Sequence, residues 1–374
     1  MKYVQINHDA VAWAEQIIFG KHRELLEEGN ESYVFWGRGI PSKSDVEVNF
    51  NRPYEPYIAA IQTRFGGRDG FYSKAATKRL LRRLDEIKPD IVHLHNLHGY
   101  FINVEMLFNW LARSDCKVIW TLHDCWAFTG HCAHFTYVKC AQWRRHCAYD
   151  KPCPQLDTYP KTFSKTSVAW NFEQKKRLFT MLSPERVQLI TPSQWLADLV
   201  KESFLSKYEV VVKHNTVDLS AFKTTPSDFR QRYGLEEKFI ILGVANTWTE
   251  RKGFEDFLQL SGDLDDKFAI VMVGLTDSQI KQMPTNVVAL GRTESKEQLA
   301  EIYTAADVFF NPTKEDNYPT VNLEAEACGT PVVTYDTGGC KETIGRTDST
   351  AVDTYLNSIN NILQREIIRR TNKA

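Results

Sequence analysis

The chain has 374 residues, of which 46 are lysine or arginine and 47 are aspartate or glutamate, so its formal net charge is -1. This balance offers no overall attraction to nucleic-acid phosphates, and we expect no nucleic-acid partner. With about 150 residues in a typical domain, the length predicts two domains that each bury a core of their own.

The sequence also lacks the features of a membrane-spanning or exported chain. No stretch approaches the roughly 18 consecutive apolar residues that a spanning helix needs. Asp9 and Glu15 interrupt the first segment before an apolar signal core could form. The expected location is the cytoplasm, with peripheral contact at the inner face of the cell membrane left open.

The first half of the chain alternates apolar runs with amphipathic segments. Residues 1–6 and 32–37 are predicted strands, and apolar residues recur at helical spacing over 14–29 between them. The order strand, helix, strand predicts a parallel sheet with crossover helices. The alternation continues through a helix that stops at Lys88–Pro89, the strand DIVHLH, the helix VEMLFNWLAR and the strand KVIWTLH.

A second alternating series fills the other half. Its buried-strand candidates are KFIILGVAN, FAIVMVGL, NVVALGRT, ADVFFNPT and TPVVTYDT. We therefore predict an α/β chain with an N-terminal domain over 1–205 and a C-terminal domain over 206–350. A helix over 351–374 follows, for which packing back on the N-terminal domain is one option.

Polar residues follow two strands of the first half, where open parallel sheets bind ligands. His123, Asp124 and Trp126 follow KVIWTL, and His123 is equally compatible with a ligand contact and with a half-buried strand end. A metal site among the clustered histidines is disfavoured, because strand alternation puts only His93 and His95 on one face. The preceding strand and its loop supply His93, His95, Asn96, His98 and Gly99.

A basic pair stands at a strand–helix junction of the second half. Arg251, Lys252 and Gly253 precede a predicted helix that begins near Phe254. A helix N-terminus offers unpaired N–H groups and the positive end of its dipole, so the junction suits a diphosphate. A solvated basic pair is the simpler alternative.

Two carboxylates eight residues apart flank the next predicted junction. Asp316 and Glu324 enclose Asn317, Thr320 and Asn322 within NPTKEDNYPTVNLEAEACGTPVVTYDTGG. Carboxylates so placed can accept hydrogen bonds from sugar or ribose hydroxyls. For Glu324 and Glu326, ordinary charge on a helix surface is the alternative.

The run from Ala289 to Gly339 resembles the C-terminal half of bacterial family 4 retaining glycosyltransferases, in particular those of polysaccharide and lipopolysaccharide assembly. KPDIVHLHNLHGYFIN, WTLHDCWAFTGHC, TPSQWLA and HNTVDLSAF resemble further blocks in the family's order, so the likeness covers residues 85–345. It implies an α/β GT-B fold, in which two Rossmann-like domains with parallel sheets face each other across a cleft. The first domain would bind the acceptor and the second a nucleotide-sugar donor.

The resemblance also implies donor-binding roles. Arg251 and Lys252 match the residues that hold the donor diphosphate, and Glu324 matches the carboxylate that holds the ribose. The segment with Thr320 and Asn322 corresponds to the one that approaches the phosphates and the sugar.

Two catalytic positions follow from the resemblance, together with two departures from the family pattern. His123 matches the N-domain histidine at the reaction centre. Asp316 occupies the place of a glutamate that contacts the donor sugar; because Glu315 is adjacent, which carboxylate reaches the sugar stays open. The first loop, NHDAVAWAEQ, has no glycine where the family has a glycine-rich turn.

The resemblance predicts a hexosyltransferase of class EC 2.4 that retains anomeric configuration. It would transfer a sugar from a UDP- or GDP-sugar to a cell-surface glycan or lipid-linked acceptor, with no metal or other cofactor required. The basic pair would stabilise the leaving diphosphate. A non-catalytic sugar-nucleotide or glycan-binding protein of the same fold is the alternative, which the missing glycines favour. A sugar-nucleotide epimerase or a phosphorylase is a further alternative.

Four cysteines crowd one short stretch, namely Cys132, Cys140, Cys147 and Cys153. Their spacing departs from the C-x2-C pairs of zinc ribbons, so unpaired thiols are expected. A structural zinc site, with His131, His134 or His146 as further ligands, is the alternative.

Two basic helical segments suggest a contact with anionic lipid. One carries Lys78, Arg79, Arg82 and Arg83, and the other carries Lys175, Lys176 and Arg177. A solvated helix face is the simpler explanation for both segments.

Overall fold

The structure, a computed structural model, describes residues 1–11 and 15–373. The glycine-free first loop, residues 7–16, therefore lies partly outside the described residues. The chain divides into two units, Met1–His214 and Asn215–Ala374. Within the described ranges, no helix has both the length and the apolar character needed to cross a membrane.

The first unit contains a seven-stranded parallel sheet in the order β3-β2-β1-β4-β5-β6-β7. Its strands are β1 (Lys2–Asn7), β2 (Glu31–Trp36), β3 (Glu47–Asn49), β4 (Ile91–Leu94), β5 (Lys117–Thr121), β6 (Val187–Thr191) and β7 (Glu209–Val212). Its helices are α1 (Gly20–Glu27), α2 (Glu55–Gly66), α3 (Lys74–Ile87), α4 (Val104–Arg113), α5 (Ser167–Phe179) and α6 (Gln194–Glu202). A π-helical turn, Glu15–Phe19, leads into α1.

Apolar runs become the central strands because both faces of the sheet are covered by helices. Val4 and Ile6 of β1 and Val92 of β4 have no exposed surface. The predicted stop of α3 is confirmed, since the helix ends at Ile87 and Lys88 adopts a left-handed conformation with φ 52°. The residue before a proline is disfavoured in a helix, which explains this end.

The second unit contains a six-stranded parallel sheet in the order β10-β9-β8-β11-β12-β13. Its strands are β8 (Phe239–Val244), β9 (Phe268–Val273), β10 (Val287–Leu290), β11 (Val308–Asn311), β12 (Val332–Tyr335) and β13 (Thr350–Val352). Its helices are α7 (Phe229–Tyr233), α8 (Phe254–Asp263), α9 (Asp277–Ile280), α10 (Lys296–Ala305), α11 (Thr320–Ala327) and α12 (Tyr355–Lys373).

Alternate residues of its central strands enter separate cores on the two faces of the sheet. Phe309 packs in one core and Phe310 in the other. The C-terminal helix α12 completes the second core with Ile362, which is fully buried. Near its end, Arg369 Nη1 donates a hydrogen bond to the Lys238 carbonyl oxygen at 2.8 Å, so the described part of α12 belongs to the second unit.

Each sheet has a topological switch point, where the strand order reverses direction. In the first sheet this point lies between β1 and β4, and in the second between β8 and β11. Ligands of open parallel sheets bind beyond the carboxyl ends of the strands at such points. The predicted α/β architecture with two parallel sheets is confirmed, and it directs attention to the loops that follow these four strands.

Candidate functional site

The loop after β8 carries the predicted basic pair. Arg251 and Lys252 lie in a 3₁₀ turn, and α8 begins at Phe254 as the sequence predicts. Gly253 joins them with φ 78°, and a Cβ atom there would lie 2.4 Å from Pro312 Cγ and 2.5 Å from the Pro312 carbonyl oxygen. Only glycine permits this approach, so it seats the β8 loop against the loop that follows β11.

The two loops are joined by hydrogen bonds and an ion pair. Arg251 Nη1 donates to the Glu315 carbonyl oxygen at 3.0 Å, and the Lys314 amide donates to the Arg251 carbonyl oxygen at 2.8 Å. Lys252 Nζ forms an ion pair with Asp316 Oδ2, and the two side chains are 27% and 17% exposed. The switch point of the second sheet thus brings three of the predicted donor-side residues together.

Of the two adjacent carboxylate residues, Asp316 is the more accessible one. Glu315 is only 4% exposed. A third loop fixes the Asp316 backbone, because the Gly339 amide donates to its carbonyl oxygen at 3.3 Å. At Gly338, φ is +57°, and a Cβ atom would lie 1.8 Å from the same oxygen. No role was predicted for these glycines, although their position directly after a strand, as TGG, is a usable signal.

Helix α11 presents Thr320 and Glu324 one turn apart. Glu324 is half-buried, and Tyr303 Oη donates a hydrogen bond to Glu324 Oε2 at 3.1 Å. Burial raises the pKa of Glu324, which the hydrogen bonds of Tyr303 and Thr320 partly offset. Glu326 differs, since both its carboxylate oxygens accept from the Gly345 amide, at 2.9 and 3.1 Å. Glu326 therefore anchors a loop, while Glu324 keeps an accessible edge.

Asn322 supports α11 from within. It has no exposed surface, its Oδ1 accepts from Asn311 Nδ2 at 2.8 Å, and its Nδ2 donates to Thr343 Oγ1 at 2.8 Å. The side chain thus ties the helix to the end of β11 and to the 340–343 turn. Because Asn322 is fully buried, it can assist ligand binding only by holding α11 in position.

The first sheet has buried histidines at its carboxyl edge. His93 Nδ1 lies 2.8 Å from Tyr3 Oη and its Nε2 lies 2.8 Å from Thr121 Oγ1. His95 Nδ1 lies 3.3 Å from Nε2 of the half-buried His123. Burial lowers the pKa of His93 to about 3 and that of His123 to about 4. These imidazoles are neutral at pH 7 and serve as hydrogen-bonding groups.

A charged pair stands beside this neutral group. His98 Nε2 lies 2.7 Å from Asp124 Oδ2, and the Trp126 amide donates to Asp124 Oδ1 at 2.8 Å. Burial alone would lower the pKa of His98, but the Asp124 carboxylate outweighs it and the net shift is upward. The His98 imidazolium in turn holds the pKa of Asp124 well below its usual value despite burial. Sequence spacing gave no sign of this pairing.

Lys175 was expected on a helix face that is either solvated or in contact with lipid, and its burial shows that both interpretations are wrong for this residue. It is 1% exposed, and its Nζ donates to the carbonyl oxygens of Trp126 at 2.8 Å and Thr129 at 3.1 Å. The ammonium also lies 3.4 Å from the centre of the Trp126 ring. Burial lowers the pKa of Lys175 to about 7, although the buried Asp69 carboxylate opposes the shift. Lys175 therefore secures the loop that follows Asp124.

A cavity of about 570 Å³ opens at the same edge of the first sheet. The loops after β2, β3 and β4 contribute Arg38, Asn51, Arg52 and Tyr100 to its wall, and Tyr57 of α2 closes one side. It combines cationic, amide and phenol groups with apolar surface, as ligand cavities commonly do.

The four clustered cysteines line one small cavity together with Phe135 and Trp143. All four are reduced, and burial raises the pKa of Cys147 to about 12. Among residues 1–11 and 15–373, no three His, Cys, Asp or Glu side chains are arranged to hold a metal ion.

The chain matches known glycosyltransferases in both of its halves. A sequence model of Glycosyltransferase Family 4 matches residues 14–221, and one of glycosyl transferases group 1 matches residues 227–369. The chain is 27% identical over 349 residues to WcaC of Escherichia coli K12, described as a colanic acid biosynthesis glycosyl transferase. This match covers 88% of the chain and 82% of WcaC.

Two solved structures share the fold across nearly the whole chain. Sucrose-phosphate synthase from Thermosynechococcus elongatus matches with a TM-score of 0.67 at 14% identity, covering 98% of this chain and 90% of the synthase. Anabaena HepE in complex with UDP matches with a TM-score of 0.64 at 14% identity, covering 97% and 89%.

Proposed function

The chain belongs to Glycosyltransferase Family 4 and has the GT-B fold, and from this we propose that it is a retaining, metal-independent hexosyltransferase. Its donor would be a UDP- or GDP-sugar, and its acceptor a cell-surface glycan or lipid-linked saccharide. The observation that carries the proposal is the ion pair of Lys252 with Asp316, beside Arg251, at the switch point of the second sheet.

The diphosphate of the donor fits best against this basic pair and the N-terminus of α11. Helix α11 begins at Thr320 with no side-chain cap and no acidic residue in its first turn, whereas α8 begins with Glu255 and Asp256. An uncapped, uncharged helix start leaves N–H groups for an anion. We therefore assign phosphate binding to α11 together with Arg251 and Lys252.

Glu324 is suited to the hydroxyls of the donor ribose. It lies four residues along α11 from Thr320, which corresponds to about 6 Å along the helix axis. Tyr303 donates to one carboxylate oxygen of Glu324, so the accessible edge of the carboxylate can still accept hydrogen bonds. A diphosphate that attracts Lys252 would release Asp316 to accept hydrogen bonds from the donor sugar.

Leaving-group departure would be driven by electrostatic stabilisation of the diphosphate. The acceptor hydroxyl would then attack from the same face through an oxocarbenium-like state, with no covalent intermediate. His123, neutral at pH 7, would face this reaction centre as a hydrogen-bonding group. Trapping of a glycosyl-enzyme would overturn this pathway.

A thermal-shift screen against UDP-, GDP- and ADP-sugars identifies the donor. We expect stabilisation by one nucleotide class, and transfer that persists in EDTA but is lost in Asp316→Ala and in Glu324→Ala. Lys267→Ala is the control and should remain active, because this lysine is 50% exposed and directly precedes β9, at the opposite edge of the sheet. Donor binding without any transfer to lipid-linked or glycan acceptors would instead support the non-catalytic alternative.

A further inference from the structure

Helix α2 turns its large apolar side chains toward solvent. Their spacing of three or four residues places them on one side of the helix. The opposite, buried side carries only the small Ala59 and Thr63. Phe163, 60% exposed, extends the surface with its ring 5.7 Å from that of Phe65. The side chains of this α2 face are Tyr54 (52% exposed), Tyr57 (74%), Ile58 (49%), Ile61 (61%) and Phe65 (70%).

The α2 face is bordered by positive charge. Arg52 precedes the helix, Arg64 lies in its last turn and Arg68 follows it, while Glu55 is the one acidic residue between 50 and 68. The Glu55 carboxylate forms an ion pair with Arg79 and is 14% exposed. The surface therefore combines exposed aromatic and aliphatic groups with three arginines and no well-exposed carboxylate within that range.

We infer that the α2 face is a docking surface for an anionic phospholipid bilayer. Aromatic side chains favour the interface between headgroups and acyl chains, and nearby arginines are attracted to anionic headgroups. A second copy of the chain would fit less well, because symmetric pairing would bring arginine against arginine. The α2 face lies outside the two basic segments, 78–83 and 175–177, for which a lipid contact was considered.

Docking through α2 would also position the neighbouring cavity. Tyr57 and Arg52 belong both to the α2 region and to the wall of the 570 Å³ cavity. The cavity would then open at the level of the headgroups, where Arg38 and Arg52 could receive an anionic acceptor. This last step rests on the proposed function, whereas bilayer binding itself does not require transferase activity.

Co-sedimentation with vesicles tests the docking surface. Full-length protein is mixed with vesicles of phosphatidylcholine alone, or of equal parts phosphatidylcholine and phosphatidylglycerol, at several salt concentrations. We expect binding to the anionic vesicles that weakens with salt. The double variant I61Q/F65Q should reduce the partition coefficient by about tenfold or more. R64Q/R68Q should reduce it by about fivefold for each charge removed and flatten the salt dependence.

Matched variants separate docking from folding and from donor binding. L219Q removes an apolar side chain with 68% exposure in the second unit and should bind vesicles like the wild type. The thermal-shift response to the donor should be unchanged in I61Q/F65Q, so loss of vesicle binding and failure of the proposed function are distinguishable. Wild-type protein that fails to sediment, or I61Q/F65Q that sediments fully, would overturn the inference. The inference would also be overturned if the wild-type protein were a dimer that the I61Q/F65Q substitutions dissociate.

Discussion

The carboxyl edges of the two sheets occupy equivalent topological positions but differ in their electrostatics. All ten histidines lie in residues 1–214, and burial keeps those at the first edge, such as His93 and His123, neutral. The second edge has no histidine and instead keeps Lys252 and Asp316 paired and partly exposed. A neutral hydrogen-bonding edge suits hydroxyl groups, while a charged edge suits a diphosphate. The fold fixes where ligands bind, and the side chains decide which ligands they are.

The largest expected effect comes from the buried ammonium of the first unit. Lys175→Met leaves the carbonyl oxygens of Trp126 and Thr129 without their donor and removes one of the cations near the buried Asp69, beside His98 and Arg38. We expect a loss of about 3–5 kcal/mol in the free energy of unfolding. Urea unfolding followed by tryptophan fluorescence measures it, since eight of the nine tryptophans lie in this unit. Lys176→Met, at the exposed neighbour, should change little; equal midpoints for both variants would contradict this role.

Acid should destabilise the first unit more than the second. Unfolded histidines bind protons below pH 6.5, whereas folded His93 and His123 remain neutral until about pH 3 and 4. The unfolded state thus binds more protons in that interval, and the stability of the first unit falls as pH drops from 6.5 toward 4, by several kcal/mol. His98, whose pKa is raised, loses its contribution only as pH rises. At the second edge, the raised pKa of Glu324 acts in the opposite direction.

Hydrogen exchange at pH 7 and pH 5, corrected for intrinsic rates, measures this difference. Protection in β4 and β5 should fall relative to protection in β8 and β11. Equal loss in both sheets would show that burial of the histidines does not govern acid stability.

Removal of one cation tests the charged edge. Lys252→Ala deletes the ammonium that we assign to the leaving diphosphate, and we expect kcat/KM for transfer to fall by about 10²–10³-fold. Release of the nucleoside diphosphate provides the measurement, with Lys267→Ala as the control. A decrease of less than twofold would place the diphosphate elsewhere.

Patterns along the chain predicted most of the fold and part of the site. Apolar runs and the Lys88–Pro89 stop located strands and helices because parallel sheets bury both faces and proline disfavours a preceding helix. Arg251, Lys252 and Asp316 were expected near one another because each follows a strand at a carboxyl edge, and they do lie together; their roles in donor binding stay predictions. Spacing could not reveal that Lys175 is buried, because its neighbours Lys176 and Arg177 carry the same charge. The His98–Asp124 pair and the Asn322 contacts depend on residues distant in the sequence, so local patterns could not reveal them.

The smallest expected effect concerns the support of Glu324. Tyr303→Phe removes the hydroxyl that donates to Glu324 Oε2 at 3.1 Å, while the fully buried ring can remain in place. Loss of this donor should raise the pKa of Glu324 further, because the hydrogen bond favours its ionised form. The Michaelis constant for the donor should increase by about threefold with kcat unchanged.

A pH profile distinguishes this positioning role from a general loss of packing. Donor affinity should fall as pH drops through the pKa of Glu324, and in Tyr303→Phe that fall should begin at a higher pH. Tyr355→Phe is the matched control, because its hydroxyl donates to the Asp263 carboxylate at 2.9 Å, away from α11. If both variants gave the wild-type profile, Tyr303 would serve the core alone and would not set the protonation of Glu324.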